Sequence, residues 1–184
     1  MTGEAAALAV IDTLRELGIP YTMVGSFASN QYGIPRSTED ADFVIMLGTT
    51  SVVEIARRLG PGFRLDPQMS FETFTGTYRY ELNVSEIIFR IELFLLSDDP
   101  YDQRRFDRRR TRPVHGRQVH FLSPEDVIVT KLRWARSKDL DDVRDVIAVQ
   151  DLEGRLDWDY IHSRTARHGT RESLDQIRRS IPPI

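Results

Sequence analysis

The stretch Val24-Gly25-Ser26-Phe27-Ala28, followed by Tyr32-Gly33-Ile34-Pro35-Arg36-Ser37-Thr38-Glu39-Asp40-Ala41-Asp42-Phe43, decides the reading of this chain. Residues 20–25 read as a short buried strand and residues 26–32 as a short helix that Gly33 and Pro35 end. Residues 40–47, Asp-Ala-Asp-Phe-Val-Ile-Met-Leu, read as a second strand. On a strand, side chains two apart share a face, so Asp40 and Asp42 point the same way. Such a pair repels itself unless a cation bridges it, and a hard cation such as Mg²⁺ suits oxygen ligands. A third carboxylate on a neighbouring strand would complete the set. Glu92 is the one acid within the most apolar segment, residues 87–96, where an ionised acid is costly unless paired or metal-bound. Gly25 permits close approach of a phosphate to the backbone, Ser26 adds a hydroxyl, and a helix N-terminus favours an anion. These are parts for phosphoryl chemistry.

Outward from this stretch, residues 2–17 read as an amphipathic helix, with Leu8, Ile11, Leu14 and Leu17 at helical spacing and a stop at Gly18. Residues 50–59 form a further helix closed by Gly60-Pro61. Residues 63–96 are rich in Phe, Tyr, Thr and Ile and read as strands, the last of them central. Residues 114–121 read as a strand or hairpin around His115-Gly116. Ser123-Pro124-Glu125-Asp126 is a strong helix start, with a Ser N-cap, Pro in the first turn and acids beside it. From there to residue 180 the pattern is helical, with breaks near Asp139, Gly154 and Gly169. The expected class is α+β: a core over residues 1–122 and a helical C-terminal part over 123–184 packed on it.

The chain contains no cysteine, which excludes disulfides, thiolate metal sites and cysteine nucleophiles and suits the cytoplasm. A net charge of −3 exerts no global pull toward nucleic acid or membrane. No apolar run approaches the roughly 20 residues of a membrane-spanning helix, and no basic start precedes an apolar core, so neither membrane association nor a signal peptide is expected. P-loop, Gly-x-Gly-x-x-Gly and Gly-x-Ser-x-Gly patterns are absent from the sequence. The four histidines lack zinc spacing.

The Gly25-Ser26 turn, the spacer and Asp40-x-Asp42 resemble the DNA polymerase β-type nucleotidyltransferase superfamily. The chain is most similar to a small bacterial branch related to abortive-infection toxin nucleotidyltransferases and, more distantly, to aminoglycoside and lincosamide nucleotidyltransferases. Tyr32-Gly33-x-x-Arg36-x-Thr38, the Ser123–Asp126 helix start, Lys131-Leu132 and the charged Arg136–Asp139 stretch carry this resemblance, which spans about residues 5–165 in motif order. It implies a mixed sheet with flanking helices. It assigns Gly25, Ser26, Arg36, Thr38 and Lys131 to the nucleotide. It assigns Asp40, Asp42 and Glu92 to Mg²⁺ or Mn²⁺, with Glu92 also activating the attacking hydroxyl. The implied substrate is an NTP, and the acceptor an RNA end such as tRNA, a protein, or a small drug. The toxin-like branch implies an antitoxin partner. One departure stands out: the family carries aspartate where this chain has Glu92, one methylene longer, and active sites respond to such shifts.

Plainer readings accompany each assignment. Asp-x-Asp also occurs at solvated strand ends, and Gly25-Ser26 would serve as a helix cap. Glu92 would fit a buried ion pair with a nearby arginine, and Lys131 a solvated helix face. The run Arg104–Arg112 reads as a solvated helix face, with contact to an RNA backbone as the alternative. Trp134, Trp158 and Tyr160 read as core. Two functions follow: transfer of a nucleoside monophosphate, or a non-catalytic module of the same fold that binds a nucleotide or a protein.

Overall fold

Apolar side chains at alternating strand positions and at helical spacing build the molecule from the segments the pattern marks. The computed structural model describes residues 1–73, 76–152 and 154–182, so Phe74 and Thr75 of the strand-rich stretch, and Glu153 beside the expected break at Gly154, lie outside it. The described elements are α1 Gly3–Glu16, β1 Tyr21–Val24, α2 Gly25–Tyr32, β2 Asp40–Ile45, α3 Val52–Leu59, β3 Phe63–Leu65, β4 Ser70–Glu72, β5 Thr77–Val84, β6 Arg90–Leu95, α4 Pro100–Asp107, β7 Arg110–Val114, β8 Arg117–Phe121, α5 Pro124–Trp134, α6 Ser137–Asp151, α7 Trp158–Arg167 and α8 Arg171–Ser180. The chain divides into two compact units. The first holds residues 1–24 and 38–121, and the second holds 25–37 and 122–184. The helical part expected from residue 123 onward therefore also takes in residues 25–37, a loop and helix that the strand order leaves between β1 and β2.

The first unit is a mixed sheet in the order β3-β5-β6-β2-β1-β8-β7, with β4 paired to β5. β2 runs antiparallel to β1 and parallel to β6. As the apolar run 87–96 implies, β6 is an interior strand. Ala41, Phe43, Ile45, Ile91 and Leu93 are fully buried, as are Ala6, Val10, Ile11 and Leu14 on one stripe of α1. On the other face, Val44 and Phe94, register partners on β2 and β6, pack with Phe106 of α4. The arginine run is not one solvated helix face. α4 ends at Asp107, Arg110 opens β7, and Arg105 is buried against Asp102 at 3.0 Å. Arg109 donates to the Phe106 carbonyl and lies 4.4 Å over its ring.

In the second unit, Ser123 caps α5 by accepting from the Asp126 backbone N–H, as the sequence predicts. The expected break at Asp139 falls earlier, at Ala135, whose backbone is left-handed. Asp139 instead sits at the third position of α6, where its carboxylate accepts from the Arg136 backbone N–H. Trp134, Trp158 and Tyr160 are half-buried rather than core, because each ring carries an arginine. The closest is Arg178, 3.8 Å from the Trp158 ring centre.

Gly33 follows α2 where the loop passes α6. A Cβ on Gly33 would stand 3.0 Å from the Val146 nitrogen and 3.1 Å from the Asp145 carbonyl carbon. Both are helix backbone atoms, which yield less easily than the end of a flexible side chain. Gly33→Ala is expected to cost about 1–3 kcal/mol, the range for overpacking, read as a lower urea midpoint.

Candidate active site

Asp40 and Asp42 stand at the start of β2, both partly exposed, while Ala41 between them is buried. The alternation expected from sequence therefore holds. Thr38, which the resemblance assigns to the nucleotide, donates to the Asp40 carboxylate at 2.6 Å. In the parallel register Asp42 lies opposite Glu92 and Asp40 opposite Arg90. Residues directly opposite share a face, so Asp42 and Glu92 stand side by side. Further along this face come Val44 and Phe94, covered by Phe106. The same two strands thus present charge at one end and core at the other.

Glu92 is nearly buried and paired. Arg79 Nη1 lies 3.2 and 3.3 Å from its two carboxylate oxygens. This is the ion pair that the plain reading of Glu92 describes. The sequence does not single out Arg79, although its place two residues before Glu81 on β5 puts both on one face.

The resemblance implies a divalent cation, so the fit of these residues to one matters. Asp40 and Asp42 offer hard oxygen donors from alternate positions of one strand, and an exposed strand end leaves room for water and phosphate ligands. Glu92 is engaged by Arg79, and among the described residues no group of three His, Cys, Asp or Glu side chains is placed to hold a metal ion. The aspartate pair fits a cation; the three-acid set does not fit as it stands.

The second unit contains a different construction. Gly25 opens α2 with φ +60°, a backbone that costs a side-chain-bearing residue about 1–2 kcal/mol. Ser26 is buried and accepts from Arg36 Nη2 at 2.9 Å. Arg36 also forks onto Asp142, Nε to Oδ1 at 2.7 Å and Nη2 to Oδ2 at 3.0 Å. Its own backbone is clamped on both sides by the Asn30 amide. Lys131 is buried rather than on a solvated helix face, and its ammonium lies 2.7 Å from Asp142 and 3.1 Å from Asp139. Arg136 reaches Asp139 from the other side at 2.6 Å. Gly25, Ser26, Arg36 and Lys131 therefore belong to one unit, and Lys131, Asp142 and Arg36 form the chain of charges that holds Ser26. Sequence reading missed Asp142. Its signal is helical spacing: Asp139 and Asp142 are three apart on α6 and so share a face.

Burial pushes the Asp139 and Asp142 carboxyls up, but their donors outweigh it. Arg136 and Lys131 hold Asp139 below the ordinary carboxylate range, and Arg36 and Lys131 do the same for Asp142.

A mixed sheet, a Gly-Ser helix start and two aspartates on one strand are the features by which the sequence resembles the nucleotidyltransferases, and the family match agrees with that class. Residues 4–181 match the family described as nucleotidyl transferase of unknown function (DUF2204), and the chain belongs to that family. The fold is shared with ANT(2″)-Ia, solved in complex with adenylyl-2″-tobramycin, at TM-score 0.60 and 13% identity over 91% of this chain and 97% of that one. It is shared with the lincosamide antibiotic adenylyltransferase LnuA, solved with lincomycin bound, at TM-score 0.56 and 11% identity over 79% and 97%. An antigenic nucleotidyltransferase-like protein from Paracoccidioides brasiliensis is similar at TM-score 0.53 and 19% identity over 97% and 93%. No curated protein matches the sequence. Among the described residues no helix is long and apolar enough to cross a membrane.

Two outcomes follow from the charge network. Lys131→Met leaves two buried carboxylates short of a partner and is expected to cost about 3–5 kcal/mol at neutral pH by urea denaturation. The second concerns acid. Because the folded carboxyls of Asp139 and Asp142 lie below their unfolded values, the unfolded chain binds more protons between the two. Their stabilisation is complete above about pH 4 and is lost as the pH falls through the depressed folded values. The urea midpoint of the wild type is expected to fall as the pH drops below about 4, and less steeply in Asp142→Asn. Equal slopes would show that Asp142 contributes no such linkage.

Proposed function

We propose that this chain moves a nucleoside monophosphate from an NTP to an acceptor hydroxyl, with Mg²⁺ or Mn²⁺ held through Asp40 and Asp42. The observation that carries the reading is the aspartate pair at the partly exposed start of β2, its Asp40 held by Thr38, in a chain of nucleotidyl transferase family. In the reaction the acceptor oxygen bonds to the α-phosphorus, the bond from that phosphorus to the β-bridging oxygen breaks, pyrophosphate leaves, and the hydroxyl proton passes to a base or to solvent. A bound cation would neutralise phosphate charge and align the reacting oxygens. The protein's own part is to hold two carboxylates ready and to present the α2 N-terminus, with its donors and partial positive charge, to an anion. Gly25 gives that terminus its backbone. Ser26, Arg36 and Lys131 keep its first turn rigid, which makes Lys131 a positioning residue in this reading.

The acceptor we assign is an RNA end, such as that of tRNA, or a protein hydroxyl, with an antitoxin protein as partner in the cytoplasm. This finer assignment rests on the Tyr32–Thr38 stretch and its likeness to the toxin branch. A small-molecule hydroxyl, as the antibiotic adenylyltransferases of this fold suggest, is the alternative outcome. One observation favours the second function, a non-catalytic binding module: Glu92, the acid at the family's third position, is tied to Arg79.

Purified protein incubated with α-labelled NTPs and total RNA or lysate distinguishes these. Label is expected on RNA or protein, to vanish with EDTA, and to fall on the order of 100-fold or more in Asp42→Asn, the scale of losing a group that acts in the transition state. Mg²⁺-NTP is also expected to raise the melting temperature of the wild type and not of Asp42→Asn. A shift in melting without label on any acceptor supports the non-catalytic module and overturns transfer.

A further inference from the structure

Glu92 lies in a row of acids. Its register partner on β2 is Asp42, and its register partner on β5 is Glu81. Three carboxylates thus stand opposite one another across three adjacent strands, an arrangement that like-charge repulsion opposes. Arg79 answers the middle one. It is two residues from Glu81 along β5, and its guanidinium crosses diagonally to both oxygens of Glu92. It does not hang loose: Nε donates to Ser70 Oγ of β4 at 3.2 Å, and the guanidinium lies 6.0 Å from the Phe94 ring centre. Arg90 sits more weakly toward Glu81, at 4.0 Å. The Glu92 side chain is only 12% exposed. A cation arriving from solution must therefore displace a covalently tethered guanidinium that is already in place, and must leave that guanidinium short of its carboxylate.

We propose that Arg79 is a positioning residue that keeps Glu92 out of the metal shell, serving as the fixed positive charge at the third carboxylate, so that the chain takes its divalent cation through Asp40 and Asp42 alone. The proposal rests on the metal-holding role given above to the two aspartates. The extra methylene of Glu92 fits this role, since it carries the carboxylate farther from its own strand, toward a partner two residues along the neighbouring one. Arg79 then sets how many protein oxygens the cation finds, leaving the remaining positions to phosphate and water.

Mn²⁺ alone is the probe, titrated into the full chain and followed by the electron paramagnetic resonance signal of the free ion. Folding of each variant is checked by circular dichroism. The wild type is expected to bind one Mn²⁺, Asp42→Asn to lose it, and Glu92→Gln to keep affinity within about threefold, the residue of long-range charge. Arg79→Met frees Glu92 and should tighten binding by about tenfold or more, while Arg79→Lys, which keeps the charge, should resemble the wild type. Arg90→Met removes an equal charge nearby without freeing Glu92, so its affinity should move by less than about threefold. Loss of Mn²⁺ in Glu92→Gln comparable to that in Asp42→Asn overturns the proposal while sparing the metal role of the aspartates. Equal gains in Arg79→Met and Arg90→Met overturn it too, since charge alone would then explain the change. Absence of Mn²⁺ binding in the wild type and Arg79→Met alike overturns both. Should Arg79→Met fail to fold, Glu92→Gln and Arg79→Lys decide.

Discussion

Strands β2 and β6 run parallel with Asp42 against Glu92 and Val44 against Phe94, and the first unit's chemistry depends on that register. The side-chain period of a strand is two. A slip of one residue would turn Phe43 and Leu93 outward and drive the acids into the core. The buried row Ala41, Phe43, Ile45 on one face and the Val44, Phe94, Phe106 cluster on the other both oppose such a slip. Apolar packing thereby holds the acids at one end of the two strands, where they remain partly hydrated.

Charge is handled in two ways. In the second unit, Asp139 and Asp142 are almost completely buried, and three cations surround them. The cations bring the local charge to +1, and the forked geometry of Arg36 and the shared ammonium of Lys131 let two acids stay ionised where desolvation opposes it. Such an arrangement adds rigidity around Ser26 and the start of α2. In the first unit the acids of the site meet donors from their own unit. Asp40 has a hydroxyl donor in Thr38 and Glu92 has a guanidinium in Arg79, and Asp40 and Asp42 lie at a partly exposed strand end.

Membership of the nucleotidyl transferase family sets the class of reaction, and the fold is one that antibiotic adenylyltransferases share. Neither sets the acceptor, because specificity belongs to the groups that line a site rather than to the architecture that carries them. Glu92, where the resemblance implies an aspartate, is informative for that reason. Here the longer acid is paired with its own arginine.

The sequence alone determined the elements and the order of the motifs. Alternation around Asp40-Ala41-Asp42, the Ser123-Pro124 helix start, the apolar run that became the interior strand β6 and the His115-Gly116 turn are all local signals, set by side-chain period and backbone preference. Local periodicity also made Asp139 look like a break, although its carboxylate caps α6. It made the arginine run look like one helix, although backbone pairing draws its end into β7. Tertiary structure decided the partners. Arg79 meets Glu92 from 13 positions away and Arg36 meets Asp142 from 106, distances in sequence over which no periodicity operates. Lys131 illustrates the difference: its helix was legible, but whether its ammonium faced water, phosphate or carboxylate depended on how α5, α6 and the residue 33–37 loop came together. The physical reason is range: hydrogen-bonded turns and side-chain period act between near neighbours in the chain, whereas the pairing of buried charges is settled only by packing.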